Sequence, residues 1–133
     1  MKYSKATNYA LHTMLFLAAA TPDKPVGVQQ LAERQKVSST YLSKILTKLV
    51  KAGMIESVSG ANGGYSLRRG WEEISFLDII HAIEGTTSLF ECNLNHGSEC
   101  LIQQVVLEAE GKMEEHLRSQ TISSLAKMLQ VKS

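Results

Sequence analysis

Three groups of residues in the 133-residue chain have types and spacings suited to chemistry. Ser38, Ser39, Thr40 and Tyr41 open a stretch that continues with Ser43, Lys44, Thr47, Lys48 and Lys51. Small hydroxyls let a helix end approach base edges and phosphates closely, the first amides of that helix add donors, and the lysines suit phosphates. Ser38 also reads as an ordinary helix cap, although capping does not require three hydroxyls in a row. The second group is Ser59-Gly60-Ala61-Asn62-Gly63-Gly64, followed by Arg68 and Arg69. Glycines permit close backbone approach to a sugar-phosphate chain, so Gly60, Asn62, Gly63, Gly64 and Arg68 are candidate contacts; the same glycines equally make a common reversing turn. The third group is Cys92, His96 and Cys100. Sulfur and imidazole together can hold zinc, and two thiols can form a disulfide if their Cα atoms come within about 4.4 to 6.8 Å.

Charge sharpens the first two groups. The formal net charge is +1, but residues 1 to 70 carry ten Lys/Arg against three Asp/Glu, whereas residues 71 to 133 carry four against ten. Clustered cations attract a polyanion and release its counterions, so a nucleic acid would sit on the first half. A solvated charged surface is the plainer alternative. A chain of this length with 44% hydrophobic residues buries one core but not two independent ones. The apolar run Met14 to Ala20 is cut off by Thr21-Pro22-Asp23, well short of the roughly 18 residues a membrane span needs. The polar start, Met1 to Tyr9, does not read as a secretory segment, which points to the cytoplasm, where a structural disulfide is not expected.

The elements that must hold these groups follow from periodicity. Residues 4 to 20 place Tyr9, Ala10, Thr13, Met14, Leu17 and Ala18 on one side of a helix capped by Ser4. A turn at Thr21 to Pro25 precedes a short helix, Val28 to Gln35, and the chain turns again at Lys36-Val37. A third helix runs from Ser39 to Ala52, with Tyr41, Leu42, Ile45, Leu46, Leu49 and Val50 on its apolar stripe and Gly53 as its stop. The period then becomes two. Met54 to Val58 and Tyr65 to Leu67 read as the strands of a hairpin, whose loop glycines and Asn62 can all take positive φ. Ser75 caps a fourth helix, Phe76 to Glu84, and Trp71 is expected to pack between it and the hairpin.

Residues 86 to 99 read as a loop, and Cys100 to about Ser119 as the longest helix. In that helix Ile102, Val106, Ala109, Met113 and His116/Leu117 recur in a heptad seam, with Glu108, Glu110, Lys112, Glu114, Glu115 and Arg118 on the other faces. A helix with one narrow apolar seam needs a partner, and a second copy of the chain is the natural one. A last helix, Ile122 to Leu129, offers Ile122, Leu125, Ala126 and Leu129. The expected fold class is mainly α with a small β-hairpin. A winged helix-turn-helix at residues 1–85 is followed by a sensor loop at 86–99 and a helical dimerisation segment at 100–133.

Two helices, a tight turn and a hairpin in this order make a winged helix-turn-helix, in which the second helix of the pair enters the major groove. Several short motifs extend the likeness. They are S-T-Y-L-S-K-I-L-T-K-L over 39 to 49, the glycine-rich stretch ending in Tyr65-Ser66-Leu67, and Ile79-Ile80-His81-Ala82-Ile83-Glu84-Gly85. With these the chain resembles the Rrf-type family of bacterial winged-helix transcriptional regulators (IscR/NsrR/CymR-like) over nearly all its length. The resemblance implies a homodimer on a pseudo-palindromic operator in double-stranded DNA, the long helix as dimer interface, and repression as the usual outcome. It adds weight to Ser39, Thr40, Tyr41, Ser43 and Lys44 as recognition contacts. Ser59 stands where many members carry an arginine for the minor groove.

Several members hold an iron–sulfur cluster on three cysteines before the long helix. Here the middle cysteine is missing from Asn93 to Glu99, and Gln103 stands where some relatives place a histidine. A cluster wants thiolates at most of its four positions, so an iron–sulfur or zinc site is disfavoured, and a Cys92–Cys100 thiol switch or a pair of inert cysteines is left open. His12 and His81 read as core or surface histidines. No Cys-x-x-Cys, phosphate-binding glycine loop or paired carboxylate motif supports an enzyme. A protein-interaction scaffold is the remaining alternative, and salt-dependent duplex binding separates it from a DNA regulator. Nothing in the sequence names a small-molecule effector.

Overall fold

A computed structural model describes residues 3–20, 24–86 and 100–132, with side chains to Leu129. Helix α1 (Lys5–Ala19) starts where Ser4 Oγ accepts the Thr7 amide, and it buries Thr7, Ala10, Thr13, Met14, Leu17 and Ala18. Those positions recur at three and four residues, so one face of α1 is continuous apolar surface. Helix α2 (Val28–Gln35) contributes Leu31 and Ala32, and α3 (Ser39–Lys51) contributes Leu42, Ile45, Leu46 and Leu49; of the expected α3 stripe Val50 is half-buried, and Tyr41 is exposed in the first turn with its ring against Tyr9. Gly53, at φ 78°, ends α3 in a Schellman turn: its amide donates to Val50 O and the Met54 amide to Leu49 O. Helix α4 (Phe76–Glu84) begins in a capping box, with the Asp78 amide donating to Ser75 Oγ and the Ser75 amide to Asp78 Oδ2. It buries Ile79 as well as Leu77 and Ile80, while Ala82 and Ile83 are half-buried.

Strands β1 (Ile55–Val58) and β2 (Gly64–Leu67) pair antiparallel, with Ile55 opposite Leu67 and Val58 opposite Gly64. Val26, just past Pro25, joins this ribbon through reciprocal 2.9 Å backbone hydrogen bonds with Tyr65. The wing is therefore tied to the segment before α2, a pairing 39 residues apart in sequence that no local pattern announces. Trp71 opens a short 3₁₀ turn (Trp71–Glu73) and is half-buried against the core.

Helix α5 (Leu101–Ser119) is followed by α6 (Ile122–Lys132), and α6 turns back under α1. Ile122 and Ala126 lie in the same core as Met14 and Leu46, and the Phe76 amide donates to Gln120 O while the Ile122 amide donates to Ile74 O. Helix α6 therefore shares the core of the N-terminal helices. Ile122 is fully buried, and its truncation to alanine would cost about 2–5 kcal/mol.

The single seam expected on α5 also resolves into two faces. Val106, Met113 and Leu117 are half-buried, whereas Ile102 and Ala109 are exposed. Glu110, expected on a solvent face, is buried, and Glu114 reaches His81 of α4 at 3.3 Å. The apolar residues Leu101, Ile102 and Val105 remain 67–74% exposed.

Candidate DNA interface

The helix-turn-helix is set by local chemistry at one turn. Lys36 takes the left-handed conformation at φ 57°, and the Val37 amide closes back on Ala32 O. Ser38 then caps α3, its Oγ accepting the Tyr41 amide at 3.1 Å. The Ser39 and Thr40 amides have no carbonyl within their own helix, as for the first amides of any α-helix, and they carry its positive end. With Leu42, Ile45, Leu46 and Leu49 buried, the opposite face of α3 presents Thr40, Tyr41, Lys44, Lys48 and Lys51 to solvent. Ser39 and Ser43 are half-buried at its margin, and the Thr47 hydroxyl is occupied by Ser43 O at 2.8 Å. Tyr41 is held by Tyr9 of α1, ring edge to ring face at 5.8 Å and 85°.

Cations dominate this side. Among the described residues the lysines of α3 and Arg34, Arg68 and Arg69 form no ion pair with a carboxylate. Glu84 is the nearby acid, and it is committed elsewhere: its Oε2 accepts from the Thr7 hydroxyl, from the Ser4 amide at 2.7 Å and from the Ser4 hydroxyl at 2.9 Å. The Thr7 and Ser4 hydrogen bonds hold the Glu84 carboxyl below its ordinary value, with Lys48 adding to the effect. Beside it, between α4 and α5, lies a cavity of about 300 Å³ lined by Tyr3, His81, Glu110 and Glu114 among others. Burial pushes the Tyr3 phenol up, and Glu114, Glu110 and Glu84 push it further.

The wing loop corrects the sequence reading in two respects. Only Gly60 and Gly64 take positive φ, at 104° and 143°; Gly63 and Asn62 do not. Gly63 is needed for space, since a Cβ there would stand 2.0 Å from Val58 O, and at Gly64 one would stand 2.4 Å from Val26 O. These two glycines are explained by the closure of the wing, whereas Gly60 and Asn62 at its tip are exposed. Arg68 is not beside the tip. It follows β2, its amide donating to Met54 O, at the base of the wing next to Gly53. The four-residue strands separate it from the tip by about 13 Å.

Cys92 and His96 lie outside the described residues. Cys100 is buried as the N-cap of α5, its Sγ accepting the Gln103 amide at 3.4 Å. No three His, Cys, Asp or Glu side chains among the described residues are placed to hold a metal ion.

The arrangement of these elements is that of a known group of proteins. The family described as "Rrf2: Iron-dependent Transcriptional regulator" matches residues 3–128. The chain belongs to the Rrf2 family. It is 35% identical over 105 residues to the HTH-type transcriptional regulator NsrR of Geobacillus kaustophilus, covering 79% of this chain and 71% of that one. Its fold superposes with a TM-score of 0.84 on CymR, the global cysteine regulator of B. subtilis, at 29% identity and covering 96% and 98% of the two chains. T. potens IscR gives a TM-score of 0.79 at 32% identity, covering 97% and 88%. Rrf2 proteins of this kind are transcriptional regulators and not enzymes, and the winged-helix reading of the fold stands. Among the described residues no donor set fits the iron in the family description. Two cysteines in 133 residues, one of them buried at a helix cap, fall short of the thiolates a cluster uses. Among the described residues no helix is long and apolar enough to cross a membrane.

The sequence missed two features that bear on the site. Val26, which anchors the wing, carries no signal beyond its position after a proline. Arg34 lies over the Phe16 ring at 4.6 Å, a pairing between α1 and α2 that depends on how the two helices pack.

Proposed function

We propose that this Rrf2 protein is a sequence-specific repressor that binds a pseudo-palindromic operator as a homodimer in the cytoplasm. The observation that carries the reading is the outer face of α3, where Thr40, Tyr41, Lys44 and Lys48 are exposed beside a capped helix N-terminus and, among the described residues, neither lysine forms an ion pair. Ser38 sets the helix end, Ser39, Thr40, Tyr41 and Ser43 approach base edges, and Lys44 and Lys48 take phosphates. Gly60 and Asn62 at the wing tip meet the flanking backbone, and Arg68 meets it nearer the end of α3. The homodimer is supported by the outward stripe Leu101, Ile102 and Val105 on α5, which would be poorly placed facing water. Two copies joined there present two α3 helices to successive major-groove half-sites. The test is fluorescence anisotropy with a duplex selected by the protein from a random pool. Steep loss of affinity with salt, and discrimination against a scrambled duplex, support the reading; salt-insensitive or indiscriminate binding refutes it.

A thiol switch is the second reading, favoured by the place of Cys100. Its sulfur caps α5, so chemistry at that atom acts directly on the start of the proposed dimer helix. A peroxide would take two electrons and two protons from Cys92 and Cys100, leaving a disulfide and reduced oxygen as water or alcohol. Thiol counting before and after mild peroxide treatment tests it; loss of two thiols without cross-linked dimers is the expected result.

A further inference from the structure

We propose that the groove between α1 and the end of α2 grips a backbone phosphate of the operator duplex, outside the recognition helix, with Arg34 as its principal donor. The proposal rests on the DNA-binding reading above and adds a contact on other elements. The groove has a volume of about 170 Å³ and is lined by Asn8, Tyr9, His12, Phe16, Arg34 and Gln35. Among the described residues no acidic side chain lines it.

Arg34 is oriented before any ligand arrives. Its guanidinium carbon lies 4.6 Å from the centre of the Phe16 ring, and its side chain is exposed without a carboxylate partner among the described residues. A cation seated on an aromatic ring keeps its N–H groups at the rim of the guanidinium plane, directed away from the ring normal. That arrangement suits bidentate donation to phosphate oxygens, with little side-chain freedom left to lose. The surrounding groups are also fixed. Gln35 Nε2 donates to Thr13 Oγ1 at 2.7 Å, locking the end of α2 on α1, and the Gln35 Oε1 atom is buried and so presents no negative oxygen to the groove. His12 Nδ1 is 2.9 Å from Asn8 O, which accepts its proton and holds the ring at the rim.

Position decides the ligand. Tyr9 lines the groove and its ring meets Tyr41, the third residue of α3, while Gln35 precedes the α3 cap Ser38 by three residues. The groove therefore adjoins the end of α3. The major groove is about 12 Å wide, so a helix end inserted there has a phosphate ridge within reach on each side. A phosphate held by Arg34 would fix the depth and register of α3 without reading sequence.

The experiment measures binding of wild type, Arg34→Met and Arg34→Lys to the duplex selected by wild type and to a scrambled one, from about 50 to 300 mM salt. Arg34→Met keeps an apolar stem on Phe16 and removes the charge. The expected result is affinity about tenfold lower near 150 mM salt and a log–log salt slope shallower by about 0.9, with the preference for the selected duplex unchanged. Arg34→Lys keeps the wild-type slope and binds between the two. Wild-type affinity in Arg34→Met overturns the proposal while leaving DNA binding intact, and so does weaker binding with an unchanged slope or with lost preference. Failure of wild type to bind either duplex in a salt-dependent way removes the DNA reading itself. Thermal unfolding of each variant confirms that the folded protein is compared, and if Arg34→Met does not fold, Arg34→Gln takes its place.

Discussion

Glu84, the last residue of α4, accepts the Ser4 backbone amide at 2.7 Å and so joins the end of α4 to the cap of α1. The carboxylate form makes these hydrogen bonds, and its value is depressed below the ordinary 4.5. A depressed carboxyl contributes stability above its unfolded value and loses it as pH falls through the folded one. Glu84→Gln is therefore expected to lower stability at pH 7 by under about 1 kcal/mol, because the group is exposed and solvent screens it. The difference from wild type should begin to shrink as pH falls below about 4.5 and vanish only below the depressed folded value, as denaturant unfolding at several pH values would reveal.

The two inner wing glycines should behave differently from the outer one. Gly64→Ala drives a Cβ to 2.4 Å from Val26 O in a left-handed residue, and a loss of about 3 kcal/mol or more is expected in chemical denaturation. Gly63→Ala meets Val58 O at 2.0 Å and should be comparably severe. At Gly60 nothing lies within 4 Å, so alanine there pays only for φ 104°, about 1–2 kcal/mol.

On α5, Val105→Glu places a charge at a side chain already 68% exposed and should leave the folded body intact. In the proposed dimer the same charge is buried against its own copy. Sedimentation velocity should show a monomer, and affinity for the selected duplex should fall at least tenfold. A variant that stays dimeric would place the interface elsewhere.

Within α3, Thr40→Ala removes an exposed hydroxyl near the helix end and should reduce discrimination between selected and scrambled duplexes by about 1–3 kcal/mol. Lys48→Ala should instead flatten the salt slope by about 0.9 and weaken both duplexes alike. Competition anisotropy on the two variants separates a base contact from a phosphate contact.

Cys100→Ser should stay folded, since the serine hydroxyl can take over the cap at the start of α5 and offset the cost of placing a more polar group at this buried position. Under mild peroxide it should no longer lose two thiols, and any change in operator affinity on oxidation should disappear with them. Persistence of that change would exclude Cys100 from the switch.

The sequence by itself determined the local structure. Most of the buried faces of α1 and α3, the caps at Ser4, Ser38 and Ser75, the stop at Gly53 and the hairpin were legible, because each depends on spacing or hydrogen bonds within a few residues; Tyr41, expected on the α3 stripe, is exposed. The candidate contacts on α3 were legible for the same reason: once Leu42, Ile45, Leu46 and Leu49 face inward, Thr40, Lys44 and Lys48 must face out. Tertiary structure decided what a helix wheel cannot, namely which neighbour lies across from each face. It drew α6 into the core through Ile122, tied Val26 to the wing, and moved Arg68 from the wing tip to its base. It turned Glu110 and Glu114 toward α4 and left Leu101, Ile102 and Val105 outward, the reverse of what amphipathicity alone suggests. It also seated Arg34 on Phe16, 18 residues away. Burial free energy belongs to pairs of surfaces, and the second surface of each pair is fixed only when the whole chain has folded.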